Sequence, residues 1–523
     1  MSFLTVEQAS KFASEYAGKS VTASNIMYLI QYGRIDRAET DGGVLVDQDQ
    51  LIAYYNSNKG KREREWNEQL GKELNWALSF DTYKEAETTK HVHRLHPYKG
   101  KFIPQLVEYF LDEHTDNFKR QVYFEKGDIV LDPFCGSGTT LVQCAEMNIH
   151  AVGIDVSMFN TQISNCKIRS YDLLEVERAV KYITGRLEAF EYRLGVENFE
   201  NALLDELSAF NKEYFPSPEF KKLVYQKKVN EKQYGHEKEA EFLPTFYRLC
   251  KEYGISLDVA GDTFFDRWFF DTVRKELEFA SSEIDKIEDD DIKSLLQVVL
   301  SRTMRSCRAT THSDLATLLE PVYCTYYCTK HKKICKPLFS ILKWWRTYSA
   351  DTVKRLAEFE ALRTDSIQVC YNGDSREMNI AEKIERETPS LFPIYEKQKI
   401  KGIFCSPPYI GLIDYHEQHA YAYELFGLER HDDEEIGALS KGNTVQARNA
   451  YVGDISEVLV NCKKYLADDY EIFIVANDKY NLYPQIAERA GMCIAERFER
   501  PVLNRTEKDK QAYSETIFRM KEL

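Results

Sequence analysis

Short apolar runs of strand type alternate with stretches in which apolar residues recur every three or four positions, and this rhythm begins at Ile129. "DIVLD" reads as a strand, "TTLVQCAEM" as the start of an amphipathic helix, and "HAVGID" as the next strand before another helix. The rhythm resumes much later in "IQVCYNGD", "KGIFCSPPY" and "YEIFIVAND", and closes on "MCIAERFERPV" and "SETIFRMK". Strands separated by helices predict an α/β fold with a parallel, doubly wound sheet and ligands at the carboxyl ends of its strands. The last two strands lie close enough in sequence to form an antiparallel hairpin. Between about 169 and 360 the alternation is lost. Charged segments such as "LLEVERAVKYITGRLEAFEYRL" and "IKSLLQVVLSRTMRS" keep a helical period, which predicts an inserted helical domain.

Residues 1–58 read as a separate module: two helical stretches, "LTVEQASKFA" and "TASNIMYLIQYGRI", then a Gly-Gly turn, a strand and a helix in "AETDGGVLVDQDQLIAYYN". That order resembles the excisionase or MerR-type winged helix-turn-helix, with "SNIMYLIQYGRI" as its recognition helix. The other reading is a small dimerisation or packing module. The charged "NSNKGKREREWNEQLGKEL" follows as a linker or exposed helix. The expected divisions are therefore 1–58, 59–168 (first part of the sheet domain), 169–360 (insertion) and 361–523 (second part).

A chain of 523 residues accommodates two or three such domains. A formal charge of −15 excludes a uniformly basic coat for nucleic acid, although local basic patches are what dock on phosphates. "MSFLTVEQAS" has neither a basic nor an apolar signal region. With twelve cysteines and one cluster among them, a cytoplasmic protein with reduced thiols and no membrane span is expected.

"VLDPFCGSGTTL" places Gly136 and Gly138 in a strand-to-helix turn, where positive φ and the missing Cβ admit a ligand close to the backbone. No lysine stands where a triphosphate-binding loop needs one, so nucleotide triphosphates are disfavoured. Three acids end successive strands: Asp132, Asp155 and Asp374. A carboxylate after the second strand suits ribose hydroxyls, and one after the third suits an adenine amine. Together they describe an adenosine-containing ligand held without phosphate chemistry. In "CSPPYIGLIDYHEQHAYAYELFGL", Pro407 and Pro408 end the strand ladder and hold the backbone extended. A planar amine-bearing base could then sit on Tyr409, with its N–H groups on Ser406 Oγ and the Pro407 carbonyl.

These segments resemble the S-adenosylmethionine-dependent DNA amino-methyltransferases of bacterial restriction-modification systems. "DPFCGSGTT" and "SPPY" resemble their motifs I and IV, "HRLHPYKGKFIPQL" motif X, "GDSRE" motif III, and "RPVLNRTEKDKQAYSETIFRMK" motif VIII. The resemblance covers residues 75–168 and 365–523, and "SPPY" is the form typical of cytosine-N4 enzymes. It implies a Rossmann-like methyltransferase sheet, S-adenosylmethionine as cofactor and duplex DNA as substrate. The implied cofactor residues are Tyr98, Lys101, Phe102, Asp132, Pro133, Phe134, Gly136, Ser137, Gly138, Thr139, Thr140, Asp155, Asp374 and Ser406. The implied catalytic residues are Ser406, Pro407, Pro408 and Tyr409, acting on a cytosine flipped out of the duplex. Adenine-N6 methylation is the nearest alternative, followed by RNA amino-methylation and by a DNA-binding regulator without activity. A cognate endonuclease is the expected biological partner.

Tyr415, His416 and His419 follow the proline loop and are expected either to contact DNA or to pack a helix. In the insertion, Arg302, Arg305 and Arg308 recur every three residues and could reach phosphates or a guanine edge from one helix face. Lys332 and Lys333 belong to a local basic patch suited to nucleic acid. Cys324, Cys328, His331 and Cys335 form C-x3-C-x2-H-x3-C, a set of zinc-competent ligand types at tight spacing, though reduced buried cysteines are also common.

Overall fold

The computed structural model describes residues 3–17, 21–31, 34–40, 43–56, 74, 76–80, 83, 85–257, 261–315, 318–502 and 513–523. Most of the charged linker, the start of the Gly-Gly turn and residues 503–512 of the motif VIII resemblance lie outside them. Packing divides the chain into two compact units: Met1–Lys72 with Phe190–Lys275 and Cys307–Ser340, and Glu73–Ala189 with Glu276–Ser306 and Ile341–Leu523. The 169–360 segment is thus shared between both units. Its helix Asp290–Cys307 is drawn to the sheet unit, where Gln162 Nε2 donates to the Ser294 carbonyl and to Gln297 Oε1 at 3.2 and 2.8 Å.

The second unit is built on a seven-stranded sheet. Its strands are β1 (Ile129–Asp132), β2 (His150–Asp155), β3 (Gln368–Asn372), β4 (Ile400–Cys405), β5 (Leu466–Ala476), β6 (Met492–Pro501) and β7 (Ser514–Glu522). Their spatial order is β6-β7-β5-β4-β1-β2-β3. β1 to β5 pair in parallel, and β7 runs antiparallel between β5 and β6. Period-2 alternation assigns the faces. Ile129, Leu131, Val152, Ile154, Ile472 and Ile474 join one core with Ile384 and with Val452, Ile455 and Leu459 of helix Val445–Lys463. On the opposite face Phe110, from helix Pro104–Leu111, packs its ring 5.7 Å from Phe404 and 4.9 Å from Phe473. A sheet covered on both faces explains the near-continuous apolar strands.

In the first unit, strand Phe3–Thr5, helices Val6–Ala17 and Ala23–Gln31, strands Arg37–Thr40 and Gly43–Asp47, and helix 48–56 succeed one another. The strands form a small antiparallel sheet with Gly43–Asp47 central. Ala9, Ala13, Ile26, Leu29, Ile30, Val46 and Leu51 make the core. Thr5 and Gln8 cap the first helix reciprocally: Gln8 N–H donates to Thr5 Oγ1 at 3.2 Å and Thr5 N–H to Gln8 Oε1 at 3.0 Å. Helices Val196–Tyr214 and Glu231–Tyr253 make up much of the rest. They carry a two-stranded hairpin, Tyr326–Cys328 with Lys333–Cys335, whose edge Asn211 pairs through both backbone groups of Ile334 at 2.9 Å.

Among the described residues no helix is long and apolar enough to cross a membrane.

Candidate active site

The order of the parallel strands reverses between β1 and β4, which leaves a crevice at their carboxyl ends. A cleft with about 820 Å³ free of protein atoms lies there, lined from β1 by Asp132, from β2 by Asp155, from the loop after β3 by Asp374, and from the loop after β4 by Ser406. Sequence positions far apart therefore converge because each ends a strand on the same edge of one sheet.

The turn after β1 forms the floor. Gly136 (φ +52°) and Gly138 (φ +74°) hold the left-handed backbone that glycine tolerates. A Cβ at Gly136 would stand 2.9 Å from Tyr98 Oη, and one at Gly138 would stand 3.0 Å from Ser164 Oγ. The turn is braced from behind. Asp155 Oδ2 accepts the Gly136 N–H at 2.7 Å, Ser164 Oγ donates to the Gly136 carbonyl at 3.0 Å, and Lys167 Nζ donates to the Ser137 carbonyl at 2.6 Å.

Desolvation dominates the electrostatics. Burial pushes Asp132 up to about 7, opposed by the Thr140 hydroxyl and the Phe134 amide. It pushes Asp155 up to about 6, opposed by Ser157 and Gly136 N–H groups and by Asn160. Lys101, also on the cleft wall, is lowered to about 8 by burial and donates to the His93 carbonyl at 2.7 Å. Three buried polar atoms of cleft residues have no protein partner: Ser137 Oγ, Thr139 Oγ1 and Asn160 Oδ1. Such groups are costly unless a ligand or water satisfies them. Orphaned donors and acceptors, two buried acids and a glycine floor fit a polar, zwitterionic nucleoside such as S-adenosylmethionine.

Past β4, Ser406–Tyr409 belong to no strand or helix and have no strand partners. Pro407 is buried, whereas Ser406, Pro408 and Tyr409 are half-buried. Tyr409 Oη donates to Glu515 Oε1 of β7 at 2.8 Å, which fixes the ring. Cys405 is fully buried in β4, and burial raises its thiol well above the ordinary range. It is a core residue and no nucleophile.

Of the sequence-derived set, Tyr98, Lys101, Phe102, Asp132, Pro133, Phe134, Gly136, Ser137, Thr139, Asp155, Asp374, Ser406 and Pro408 line this one cleft. Gly138 and Thr140 stand behind it, with Thr140 Oγ1 donating to the Phe404 carbonyl at 3.3 Å. Pro407 and Tyr409 lie next to the lining residues in sequence and are not among them. Asp374 accepts Arg376 Nε and Nη2 at 2.8 and 2.6 Å and the Arg376 N–H at 2.8 Å, so this acid is already charge-paired.

The expected nucleic-acid contacts fare differently. Arg302 is buried, ion-paired with Asp351 at 2.8 Å and laid over the Tyr348 ring at 4.1 Å. Arg308 is buried and donates to the Leu315 carbonyl at 2.6 Å. Neither faces outward, because a buried guanidinium needs its partners inside; Arg305 is half-buried. His416 is fully buried and bonded to Glu435. His419 is buried, packed edge-on to His96 and Phe159, and lowered to about 3 by burial. These histidines pack a helix instead of meeting phosphates. Tyr415 lines the cleft and stacks on Tyr98 at 5.7 Å. Lys332 is paired with Glu231 at 2.7 Å, and Lys333 is exposed. Cys324 stands apart from the other expected metal ligands, and His312 takes its place beside Cys328, His331 and Cys335.

Sequence reasoning missed Asn160, Glu434, Glu435 and Ile436 on the cleft wall. Asn160 was detectable in principle. It sits in the first turn of helix Met158–Ile168 directly after β2, and Nδ2 reaches both Asp155 Oδ1 at 3.1 Å and Tyr98 Oη at 3.3 Å. The acidic stretch holding Glu434 and Glu435 carries no local signal for such a place.

Comparison with known proteins is consistent with this geometry. The N6_N4_Mtase family, described as DNA methylase, matches residues 10–165. The chain is 43% identical over 522 residues to the type II methyltransferase M.MjaII of Methanocaldococcus jannaschii, covering 99% of this chain and 96% of that one. It is 33% identical over 101 residues to the type II methyltransferase M.BsoBI of Geobacillus stearothermophilus, 19% of this chain and 18% of the other. Over 84 residues it is 33% identical to a probable tRNA (guanine(10)-N2)-dimethyltransferase of Methanothermococcus thermolithotrophicus, 16% of this chain and 51% of that one.

Proposed function

The chain belongs to the DNA methylase family, among its type II methyltransferases, and from that premise we propose that it methylates the exocyclic N4 amine of cytosine in duplex DNA at a specific site. The observation that carries this reading is the junction of the acid-lined cleft with the Ser406–Tyr409 loop at Ser406 and Pro408. Methyltransferases of this family use S-adenosylmethionine, which when bound supplies an electrophilic methyl group on a sulfonium. The residues that would hold it are Asp155 for the ribose hydroxyls, Asp132 for the amino group, and the unpartnered hydroxyls of Ser137 and Thr139 with Lys101 for the carboxylate. Asp374 would face the adenine amine in competition with Arg376.

An exocyclic amine is a weak nucleophile because its lone pair is delocalised into the ring. Ser406 Oγ and the Pro407 carbonyl, which has no sheet partner, would accept its two hydrogens. That favours a pyramidal nitrogen and stabilises the positive charge that develops on it. Tyr409, fixed by Glu515, would stack on the flipped base, and alignment supplies much of the remaining acceleration. With Cys405 buried, the loop offers no thiol for covalent attack on cytosine C5. Methylation at one site would shield the host's DNA from a cognate endonuclease of the same sequence specificity.

The family also includes adenine-N6 enzymes, and the same acceptors would serve an adenine amine. Incubating the protein and cofactor with unmodified duplex DNA and, in parallel, with RNA, then digesting to nucleosides for mass detection, separates the readings. N4-methylcytosine is the expected product. N6-methyladenine would transfer the proposal to that base, modification of RNA alone would move it to another substrate, and failure to bind labelled cofactor would leave a DNA-binding regulator.

A further inference from the structure

Far from the cleft in sequence, the hairpin Tyr326–Cys328/Lys333–Cys335 brings two buried cysteines and a turn histidine to a second histidine, His312. One donor atom from each of His312, Cys328, His331 and Cys335 lies within 4.8 Å of all the others. Cys328 Sγ is 3.8 Å from His312 Nδ1, and Cys335 Sγ is 3.5 Å from His331 Nδ1. Zinc–sulfur bonds of about 2.3 Å and zinc–nitrogen bonds of about 2.0 Å give a tetrahedron with edges of roughly 3.3–3.8 Å. Both nitrogen–sulfur separations sit at that edge length. The backbone supports the same arrangement: the His331 N–H donates to Cys328 Sγ at 3.4 Å, a bond that favours a thiolate, and Lys332 adopts φ +57° to close the turn. Both cysteines are free thiols.

We propose that His312, Cys328, His331 and Cys335 hold a structural zinc ion that ties the hairpin to the segment carrying His312. Four protein ligands leave no position for water or substrate, which is the mark of a structural site. The need for it is visible in the packing. The apolar cluster under the hairpin consists of Tyr326, Cys328 and Cys335 with Val322 packed against it. Although Asn211 pairs its edge, the hairpin has two short strands and few apolar residues of its own, so this small core gains from a metal cross-link. Tyr326 Oη, 2.7 Å from His312 Nδ1, would yield that nitrogen to the ion. Two thiolates and two neutral imidazoles cancel the charge of Zn²⁺, leaving the exposed Lys330 and Lys333 as the local positive charge. The assignment rests on these four residues and stands whether or not the proposed substrate is correct.

The test is metal content of the full chain purified from zinc-supplemented culture and desalted. Wild type and Cys324→Ser should carry about one zinc per chain, and Cys328→Ser and His312→Ala roughly tenfold less. Cobalt(II)-loaded wild type should show the intense visible absorption of a tetrahedral thiolate site, a readout that does not depend on any variant folding. No zinc on the wild type after loading, an octahedral cobalt spectrum, zinc lost from Cys324→Ser but kept by His312→Ala, or a Cys328–Cys335 disulfide by mass would each overturn the assignment.

Discussion

Asp132 and Asp155 are held in the cleft at a cost in ionisation. Both folded-state values lie above the ordinary carboxylate range, near 7 and 6, because burial outweighs the amide donors around them. At these two carboxyls the folded protein holds protons that the unfolded chain has released between pH about 4 and 7, so their contribution to stability falls as pH rises through that window. Asp132→Asn should flatten the decline and stabilise the ligand-free protein at pH 8 by a few kcal/mol, as read from urea denaturation. A cationic amino group beside Asp132 favours the ionised form, so cofactor affinity should rise from pH 6 to 7 in the wild type and rise less in Asp132→Asn, where Asp155 alone still titrates. Titration calorimetry in buffers of different ionisation enthalpy would detect the released proton. His419, lowered to about 3 by burial, acts in the opposite sense: its imidazole takes up a proton only in the unfolded chain below about pH 6.5, so its contribution to stability is lost as pH falls. Asp155→Ala removes the proposed charge-assisted contact to the ribose and should weaken cofactor binding roughly tenfold to a hundredfold.

At the scale of elements, the proposed reading gives the glycine turn and the proline loop separate jobs. Gly136→Ala places a methyl 2.9 Å from Tyr98 Oη on a left-handed backbone, and both cofactor binding and turnover should suffer. Pro407→Ala restores a backbone N–H at a buried position and loosens the loop. Transfer should slow by about tenfold or more while cofactor affinity is kept, since misplacing reacting groups costs rate before it costs binding. Equal cofactor affinity in Asp155→Ala and Pro407→Ala would contradict this division of labour. Helix Pro104–Leu111 stakes its place on Phe110, so Phe110→Ala should cost about 3–5 kcal/mol in chemical denaturation.

For the whole molecule, the acidic total of −15 requires that contact with DNA come from local features. The N-terminal module runs strand, helix, helix, hairpin and helix, with Tyr28 on helix Ala23–Gln31 half exposed at 51%. Deleting residues 1–58 should weaken DNA binding and make its dependence on salt shallower, because phosphate contacts are lost. The same affinity and salt slope after deletion would make the module a packing element.

How much of this was legible beforehand follows from the range of the forces involved. Strand period, the glycine turn after Asp132 and the ladder-ending prolines are properties of a few adjacent residues, so the chain by itself determined the sheet, its carboxyl-edge cleft and most of the cleft's lining. What stands opposite a side chain is set by segments distant in sequence. Only the folded molecule turned Arg302 inward onto Asp351, buried His416 against Glu435, paired Asp374 with Arg376 and put His312 where spacing had pointed to Cys324. Charges and metal ligands find partners across space, and a helical or ligand spacing lists candidates without saying which face they meet.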